Sequence, residues 1–318
     1  MHKTVAIVVP VYNEEGNILP LVHRLEEVMQ PLPYSWHLLL IDDGSSDNTL
    51  RLIMDIARIK SHVKYISLSR NSGHQAALKA GIDHSFSDCL ISMDGDLQHP
   101  PALIPEMLAC WNSGYEVVYT LRAEQKGLSF FKRKTSALFY RLLGMLSNLE
   151  LEQGSADFRL LDRKVVEQLR TLCESDLFIR GLVKWVGFRQ KAITYEPLER
   201  KNGQSKYSFG KMTRLALQGI TSFSTKPLYL AAYIGLFFAF ASLAYIPYVI
   251  YSYWKGIAVS GWISLIVTIA FFGGLQLMIL GILGLYLGKL FMQSKGRPLY
   301  IIDKTNLHDK NPNAAAKL

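Results

Sequence analysis

Residues 89–101 read CLISMDGDLQHPP. The segment opens with a short apolar run, Cys89–Met93, which is typical of a buried β-strand. Asp94 and Asp96 follow at once, with Gly95 between them. Carboxylates at the end of a strand, beside a glycine, suit a hard divalent cation. Two such residues alone are weak evidence, since turns are rich in aspartate, so the segments around them decide the interpretation.

Short apolar runs alternate with longer amphipathic runs on both sides of this segment. Five strands are predicted, at Thr4–Pro10, Trp36–Ile41, Val63–Leu68, Cys89–Met93 and Glu116–Thr120. Helices are predicted at Glu14–Gln30, Asn48–Ile59, about 74–85 and 101–112. This alternation predicts an α/β fold with a parallel sheet covered on both faces. Ligands of such sheets bind beyond the carboxyl ends of the strands.

Acidic turn motifs fall at these strand ends. The first strand ends in VPVYNEE (9–15) and the second in DDGSSD (42–47), and a further motif, GSADFR, covers 154–159. Together with the acidic pair they suit a site that neutralises a departing diphosphate with a metal and nearby cations. Structural roles remain open: Pro10 and Tyr12 in a turn, Asp42 or Asp43 as a helix cap, and Asp157 in an ion pair with Arg159 or Arg163. His74 and His99 are ligand candidates for which hydrogen bonding in a turn is the alternative.

Composition narrows the class of protein. The 318 residues carry a formal net charge of +9, and 49% of them are hydrophobic. No zinc-finger spacing or aromatic RNA-binding motif is present, so the basic charge favours phosphate ligands and a membrane surface over nucleic acid. The three cysteines contain no CxxC pair, which argues against a disulfide framework and for a reducing compartment.

The last third of the chain is apolar. Pro227–Trp254 and Gly256–Gly288 contain no charged residue, and each exceeds the about 20 residues needed to cross a bilayer. Lys255 separates them, which predicts a two-helix transmembrane hairpin. Tyrosines and tryptophans gather near the turn, and basic residues flank the other ends, so both termini are expected in the cytoplasm.

The predicted organisation has four parts. Residues 1–204 form a catalytic domain, and 205–226 form an amphipathic interfacial helix. The transmembrane region is 227–291, with spans at about 227–251 and 263–290, and 292–318 is a cytoplasmic tail. Leu128–Leu149 is a second basic amphipathic stretch, and such helices lie well on anionic membrane surfaces.

These motifs resemble those of the family 2 glycosyltransferases, which have the GT-A (Rossmann-like) fold. More narrowly, the chain resembles polyprenyl-phosphate glycosyltransferases, namely dolichol-phosphate mannose synthase and the bacterial enzymes that load glucose or aminoarabinose onto undecaprenyl phosphate. The resemblance covers about 4–303. It rests on VPVYNEE, DDGSSD, SRNSGHQAAL (69–78), DGDLQHPP, DFRLLDR (157–163), GQSKYSF (203–209) and the hairpin ending in GRPLY (296–300).

The resemblance implies a role for particular residues. The implied nucleotide-sugar ligands are Pro10, Tyr12, Glu14, Asp42, Asp94 and Arg122. Asp96 and Gln98 are the implied ligands of Mg²⁺ or Mn²⁺, and Asp96 and Asp157 are the implied catalytic residues, with Asp157 at the position of the base. The implied contacts to the phosphates of donor or acceptor are Arg200, Lys206, Lys132 and Arg133.

The implied activity is the inverting transfer of one sugar from a nucleotide-diphosphate donor to a polyprenyl phosphate. UDP-glucose is the first choice of donor, because the segment 203–226 and the hairpin resemble bacterial glucosyl enzymes that serve O-antigen modification. UDP-galactose, a UDP-N-acetylhexosamine, a UDP-aminoarabinose derivative and GDP-mannose remain open. Relatives also suggest a homotetramer in the bacterial inner membrane. A processive polysaccharide synthase and a non-catalytic membrane scaffold are the rival classes.

Overall fold

The computed structural model describes residues 3–123, 154–174, 177–196, 224–256 and 261–307. They divide into two compact units, one drawn from residues 1–140, 149–208 and 297–318 and the other from residues 141–148 and 209–296. We call them the sheet unit and the helical unit. The predicted interfacial stretch 128–149, and the predicted helix 205–226 as far as Phe223, lie outside the described residues.

The sheet unit contains eight strands among its described residues. They are β1 (Thr4–Val11), β2 (Ser35–Asp42), β3 (Val63–Leu68), β4 (Cys89–Ser92), β5 (Val117–Arg122), β6 (Ser155–Asp162), β7 (Gln190–Tyr195) and β8 (Ile302–Thr305). Its helices are α1 (Glu15–Met29), α2 (Thr49–Ile59), α3 (His74–Asp83), α4 (Ile104–Asn112), α5 (Arg163–Thr171) and α6 (Ile179–Trp185), with a 3₁₀ turn at Pro101–Leu103. The five predicted strands and the first four helices are confirmed to within a few residues.

The strands form one sheet in the order β7-β5-β6-β4-β1-β2-β3-β8. β1 pairs in parallel with β2 and β4, and β2 pairs in parallel with β3. The prediction of an all-parallel sheet is wrong for two strands, because β6 runs antiparallel to β4 and β5, and β8 runs antiparallel to β3, whereas β5 keeps the common direction and pairs in parallel with β7. The sheet is therefore mixed, and the start of β6 lies at the same edge as the ends of β1, β2 and β4.

Buried apolar side chains hold this edge in place. Seven of the eight residues of β1 are buried, as expected for a central strand covered on both faces. α1 buries Ile18, Leu21, Val22, Leu25 and Met29, which recur at helical spacing. α3 packs closely on the sheet because Gly81 faces Val8, where a Cβ would have no room. The helices thus fix the loops that follow each strand.

The helical unit contains α7 (Lys226–Trp254) and α8 (Trp262–Ser294). The Phe238 ring meets the rings of Phe271 and Phe272 edge-on, with centroids 5.5 Å apart in each case. Among the described residues, one helical stretch, Phe271–Ser294, is long and apolar enough to cross a bilayer, and none of its apolar window is buried. Lys226–Phe238 is a shorter apolar stretch of the same kind.

Candidate active site

An open cavity of about 390 Å³ lies at the sheet edge where β1, β2 and β4 end and β6 begins. Six residues singled out from the sequence line it together: Pro10, Tyr12, Glu14, Asp94, Asp96 and Asp157. These residues come from three separate parts of the chain. Five further lining residues carry polar or conformationally special groups: Asp43, Asn71, Gly73, His74 and Arg180.

The acidic turn after β4 forms the middle of the cavity. Asp96 Oδ1 accepts a hydrogen bond from the backbone N–H of Gln98 at 3.1 Å. Leu97, between them, has a positive φ of 62°, which is uncommon for a leucine. The turn is therefore held in a sparsely populated conformation that places two carboxylates, two residues apart, along the same cavity wall.

His99 supports this turn from beneath. Its ring is fully buried and stacks on Phe158 with centroids 5.3 Å apart. His99 Nδ1 accepts the backbone N–H of Asp94 at 3.0 Å, so the ring proton lies on Nε2, which points toward Asp94 Oδ2 at 3.6 Å. Burial lowers the pKa of His99, which keeps the ring neutral. The alternative role for this residue, hydrogen bonding within the turn, is confirmed.

Asp157 lies near the start of β6 and is almost completely buried, at 5% exposure. Its two oxygens accept hydrogen bonds from Nε and Nη2 of Arg180, each at 2.7 Å. Burial alone would raise the pKa of Asp157, but Arg180 and then His74 outweigh it and hold the pKa well below its usual value. The structural partner of Asp157 is thus Arg180, whereas Arg163 pairs with Glu167 instead.

His74 joins the two sides of the cavity. Its Nε2 lies 3.5 Å from Asp94 Oδ1 and 3.6 Å from Asp157 Oδ2. Burial opposes the charged form of His74, but the two carboxylates outweigh it and raise the pKa of the ring. Asp94, His74, Asp157 and Arg180 therefore form one chain of alternating charges across the cavity. In the described residues, Asp94 Oδ1 has no hydrogen-bond partner that meets normal geometry.

Asp42 and Asp43 face different surroundings. Asp42 is fully buried and accepts hydrogen bonds from Ser67 Oγ at 3.1 Å and the Ser45 N–H at 3.3 Å. Asp43 lines the cavity, and its oxygens accept the backbone N–H groups of Ser72 at 2.7 Å and Gly73 at 2.9 Å. Asp43 is therefore not a helix cap. It holds the loop that leads directly into His74.

Arg122 and Gln98, which the structure describes, are not among the residues that line the cavity. Arg122 ends β5, and its Nε donates to the Tyr195 hydroxyl at 3.1 Å. Gln98 lies in the acidic turn just behind Asp96. The four predicted phosphate contacts lie outside the described residues: Lys132, Arg133, Arg200 and Lys206.

The donor atoms of the acidic turn fit a divalent cation of the predicted kind. The Asp96 carboxylate and the Gln98 side-chain amide offer oxygen atoms, which Mg²⁺ and Mn²⁺ prefer. Within the described ranges no group of three or more His, Cys, Asp or Glu side chains is arranged to hold a metal. A cation at this turn would accordingly take its remaining ligands from substrate phosphate and water, as Mg²⁺ commonly does.

Comparison with known proteins identifies the class. Residues 6–170 match the family model described as glycosyl transferase family 2, and the chain belongs to this family. It is 44% identical to an uncharacterized glycosyltransferase of Bacillus subtilis (strain 168), over 96% of this chain and 94% of that protein. It is 40% identical to the SfII prophage-derived bactoprenol glucosyl transferase of Shigella flexneri, over 97% of this chain and 99% of that protein.

The chain is also similar to a solved structure at low sequence identity. Glucosyl-3-phosphoglycerate synthase from Mycobacterium tuberculosis, in complex with Mn²⁺, UDP and glucosyl-3-phosphoglycerate, is 18% identical. The similarity covers 70% of this chain and 80% of that one, with a TM-score of 0.47. The family model confirms the predicted resemblance to family 2 enzymes, and the strand pairing confirms an α/β fold whose sheet is mixed rather than parallel.

Sequence reasoning missed one residue of the cavity entirely. Arg180 lies in Phe178-Ile179-Arg180-Gly181, which contains no motif that would set it apart from a surface arginine. His74 was named from the sequence only as a ligand candidate with a hydrogen-bonding alternative, and Asp43 only as a possible helix cap. Their positions next to polar turns were the available signal. Which partner each side chain meets depends on the packing of α3 and α6 against the sheet edge.

Proposed function

We propose that this enzyme transfers one glucose from UDP-glucose to undecaprenyl phosphate and inverts the anomeric configuration. The observation that carries the proposal is the meeting of Asp94, Asp96 and Asp157 with the β1 loop in one cavity. Full-length relatives named bactoprenol glucosyl transferase, about 40% identical, support the lipid acceptor and the sugar. The product would supply glucose for modification of a cell-envelope glycan such as the lipopolysaccharide O-antigen.

The donor occupies the β1–β4 side of the cavity in this proposal. Pro10, Tyr12 and Glu14 contact the nucleoside, and Asp94 hydrogen-bonds to it. Asp42, which is buried and accepts from Ser45 and Ser67, is assigned to the donor on the sequence alone, as is Arg122 at the end of β5. Tyr12 suits a base-stacking role because 44% of its surface is exposed although the adjoining strand is buried.

Asp96 and Gln98 would hold Mg²⁺ or Mn²⁺ together with the diphosphate of the donor. When bound there, the cation would neutralise charge on the departing diphosphate. The backbone N–H of Gln98 orients the Asp96 carboxylate for this task. The basic residues 132, 133, 200 and 206 are assigned to phosphates of donor or acceptor on the sequence alone.

The reaction is a single displacement. An oxygen of the lipid phosphate attacks the anomeric carbon, and the bond from that carbon to the β-phosphate oxygen breaks. The electron pair of that bond leaves with UDP. A phosphate monoester has a second pKa of about 6, so the attacking group is largely dianionic at neutral pH.

The helical unit is assigned to the membrane. We propose that α7 and α8 form a transmembrane hairpin, with the catalytic domain and both termini in the cytoplasm of a bacterial inner membrane. The exposed apolar surface of Phe271–Ser294 supports one span, and the uncharged run 227–254 supports the other. Two spans are too few for a polysaccharide channel, which favours transfer of one sugar over processive synthesis. A homotetramer remains the proposed assembly.

A lipid-extraction assay tests the function. Membranes containing the enzyme are incubated with labelled UDP-glucose, and the lipids are extracted. Labelled polyprenyl-phosphate glucose is the expected product. Label in polymer would instead support a processive synthase, and absence of any turnover with every donor would support a scaffold. The same assay with UDP-galactose, UDP-N-acetylhexosamine, UDP-aminoarabinose and GDP-mannose identifies the sugar.

A thiol-labelling assay tests the topology. Cys173 is exposed on the sheet unit, whereas Cys89 is buried. With intact cells, a membrane-impermeant maleimide should label Lys255→Cys but should label Cys173 only after permeabilisation. Cys173→Ser is the matched control. Labelling of Cys173 in intact cells would contradict a cytoplasmic catalytic domain.

A further inference from the structure

We infer that Arg180 binds the phosphate of the lipid acceptor, and that Asp157 acts by holding Arg180 in position. This inference rests on the proposed function and assigns its acceptor site. It also changes the role of Asp157, which the family resemblance places as a base. The two residues come from different elements, Asp157 from β6 and Arg180 from α6, and they meet at the cavity wall.

The geometry of the pair makes Asp157 the fixed partner. Asp157 is 5% exposed, whereas 34% of the Arg180 side chain is accessible. Both Asp157 oxygens accept from the Arg180 guanidinium at 2.7 Å, and Oδ2 also lies 3.6 Å from His74 Nε2. A base must direct a lone pair at the proton that it removes. Here both oxygens are directed at cations of the protein instead.

The guanidinium is suited to a second anion. It is a planar fork of N–H donors whose Nε and Nη2 donate to Asp157, and the residue also lines the cavity with 34% of its side chain accessible. Planar forks of this kind recognise phosphate in a bidentate manner. Because Asp157 fixes the plane of the guanidinium, the edge that lines the cavity has a defined direction. An arriving phosphate would then meet a donor group that is already oriented.

The chemistry of the acceptor removes the need for a base. A phosphate monoester is largely dianionic at neutral pH, so its attacking oxygen carries no proton. What the acceptor does need is a cation that positions it despite the negative diphosphate of the donor. Arg180 supplies that cation, and His74 lies beside the same pair, with its Nε2 3.6 Å from Asp157 Oδ2.

The position of Arg180 along the sheet edge favours the acceptor over the donor. The strand order at this edge is β2, β1, β4, β6. The nucleoside residues follow β1, the acidic turn follows β4, and the Asp157–Arg180 pair stands on the β6 side. In an inverting displacement the nucleophile attacks from the side opposite the leaving group. With the diphosphate at the acidic turn, the β6 side is the side left for the lipid phosphate.

Steady-state kinetics of the full-length enzyme test the assignment. Rates are measured against polyprenyl phosphate at saturating UDP-glucose, and against UDP-glucose at saturating lipid. Arg180→Gln and Arg180→Lys should each raise the KM for polyprenyl phosphate by about tenfold or more, because lysine cannot form the fork. The KM for UDP-glucose should change less than about twofold.

A matched control and a fold check accompany these variants. Arg163→Gln removes an exposed arginine that pairs with Glu167 on α5, and it should change neither KM. Binding of UDP to each variant reports that the donor side is folded. If Arg180→Gln does not fold, Arg180→Lys keeps the charge and decides the question. A higher KM for UDP-glucose with an unchanged KM for the lipid would overturn the inference.

A double mutant distinguishes a role of Asp157 in positioning Arg180 from a role as the catalytic base. If Asp157 acts only through Arg180, adding Asp157→Asn to Arg180→Gln should lower kcat by less than about twofold, since the two changes share one effect. An independent base would cost a further factor of about 100 or more in kcat, and that result would overturn the inference. Absence of lipid-linked glucose with the wild-type enzyme would refute the proposed function itself, which is a separate outcome.

Discussion

Replacing Asp43 by alanine should destabilise the sheet unit and loosen the loop that carries His74. Asp43 is 3% exposed, and its carboxylate accepts the backbone N–H groups of Ser72 and Gly73 at 2.7 and 2.9 Å. These two bonds fasten the end of β2 to the residues that lead into α3. Alanine removes both acceptors and leaves two backbone donors without their partner.

The magnitude follows from the two bonds. A hydrogen bond to a charged group contributes about 1.5–3 kcal/mol. The lower end applies here, because burial raises the pKa of Asp43 and so offsets part of the gain from its ionised form. The two bonds together then give about 3 kcal/mol. For a unit of this size that corresponds to a fall in Tm of about 6–12 °C.

Thermal unfolding of the full-length protein in detergent measures this change. Tryptophan fluorescence follows the sheet unit through Trp36 and Trp111. Asp43→Asn keeps one acceptor oxygen and should lose about half as much, ~3–6 °C. The matched control Asp55→Ala, which removes an exposed partner of Arg58, should stay within about 2 °C of wild type. A Tm for Asp43→Ala within that same range would refute the reasoning.

Three further outcomes are expected. Asp96→Ala should abolish metal-dependent transfer, because Asp96 is the carboxylate assigned to the cation and Asp94 is assigned to the nucleoside, and full activity of this variant in a chelator would contradict the metal assignment. Gly44→Ala should cost at least about 2 kcal/mol in chemical unfolding, since Gly44 has a φ of 68° and an added Cβ would lie 2.6 Å from the Arg70 carbonyl carbon; wild-type stability would show that this loop adapts. The Asp157→Asn variant should be less stable than the wild-type protein at neutral pH, and this difference in stability should disappear in acid. The pKa of Asp157 is well below its usual value, so the stabilisation is present above the unfolded pKa of about 3.9 and is lost as the pH falls through the folded pKa; a deficit that does not shrink as the pH falls from about 4 toward the folded pKa would contradict this.

The first half of the fold could be predicted because its strands are buried on both faces. β1 to β4 are short runs in which most residues are apolar, and the helix after β1 buries residues at clear helical spacing. β6 was missed because its sequence SADFRLLD mixes charges with apolar residues, and it pairs with β4 from more than 60 residues away. Its Arg159 is buried, with its Nε donating to the Ala156 carbonyl at 3.0 Å, and burial lowers the pKa of the guanidinium to about 10.

The candidate site was predictable where its chemistry lies in consecutive residues. Asp94 and Asp96 are recognisable in the sequence as a pair at a strand end, and both residues line the cavity in the structure. The sequence could not decide whether Asp42 or Asp43 lines the cavity. Adjacent residues at a strand end point to opposite sides, and the sequence does not indicate which side faces the cavity. Arg180 contacts Asp157 only because α6 packs at this edge of the sheet, so no local sequence pattern predicts the pair.

Transfer of label to lipid tests the central claim most directly. Purified full-length enzyme is supplied with labelled UDP-glucose, undecaprenyl phosphate and Mg²⁺ or Mn²⁺, and the organic phase is counted and analysed. The account predicts a single product, undecaprenyl-phosphate glucose, formed by the wild-type enzyme and absent with Asp96→Ala. Label that enters polymer, or that never enters lipid with any nucleotide-sugar donor while UDP still binds, would contradict it.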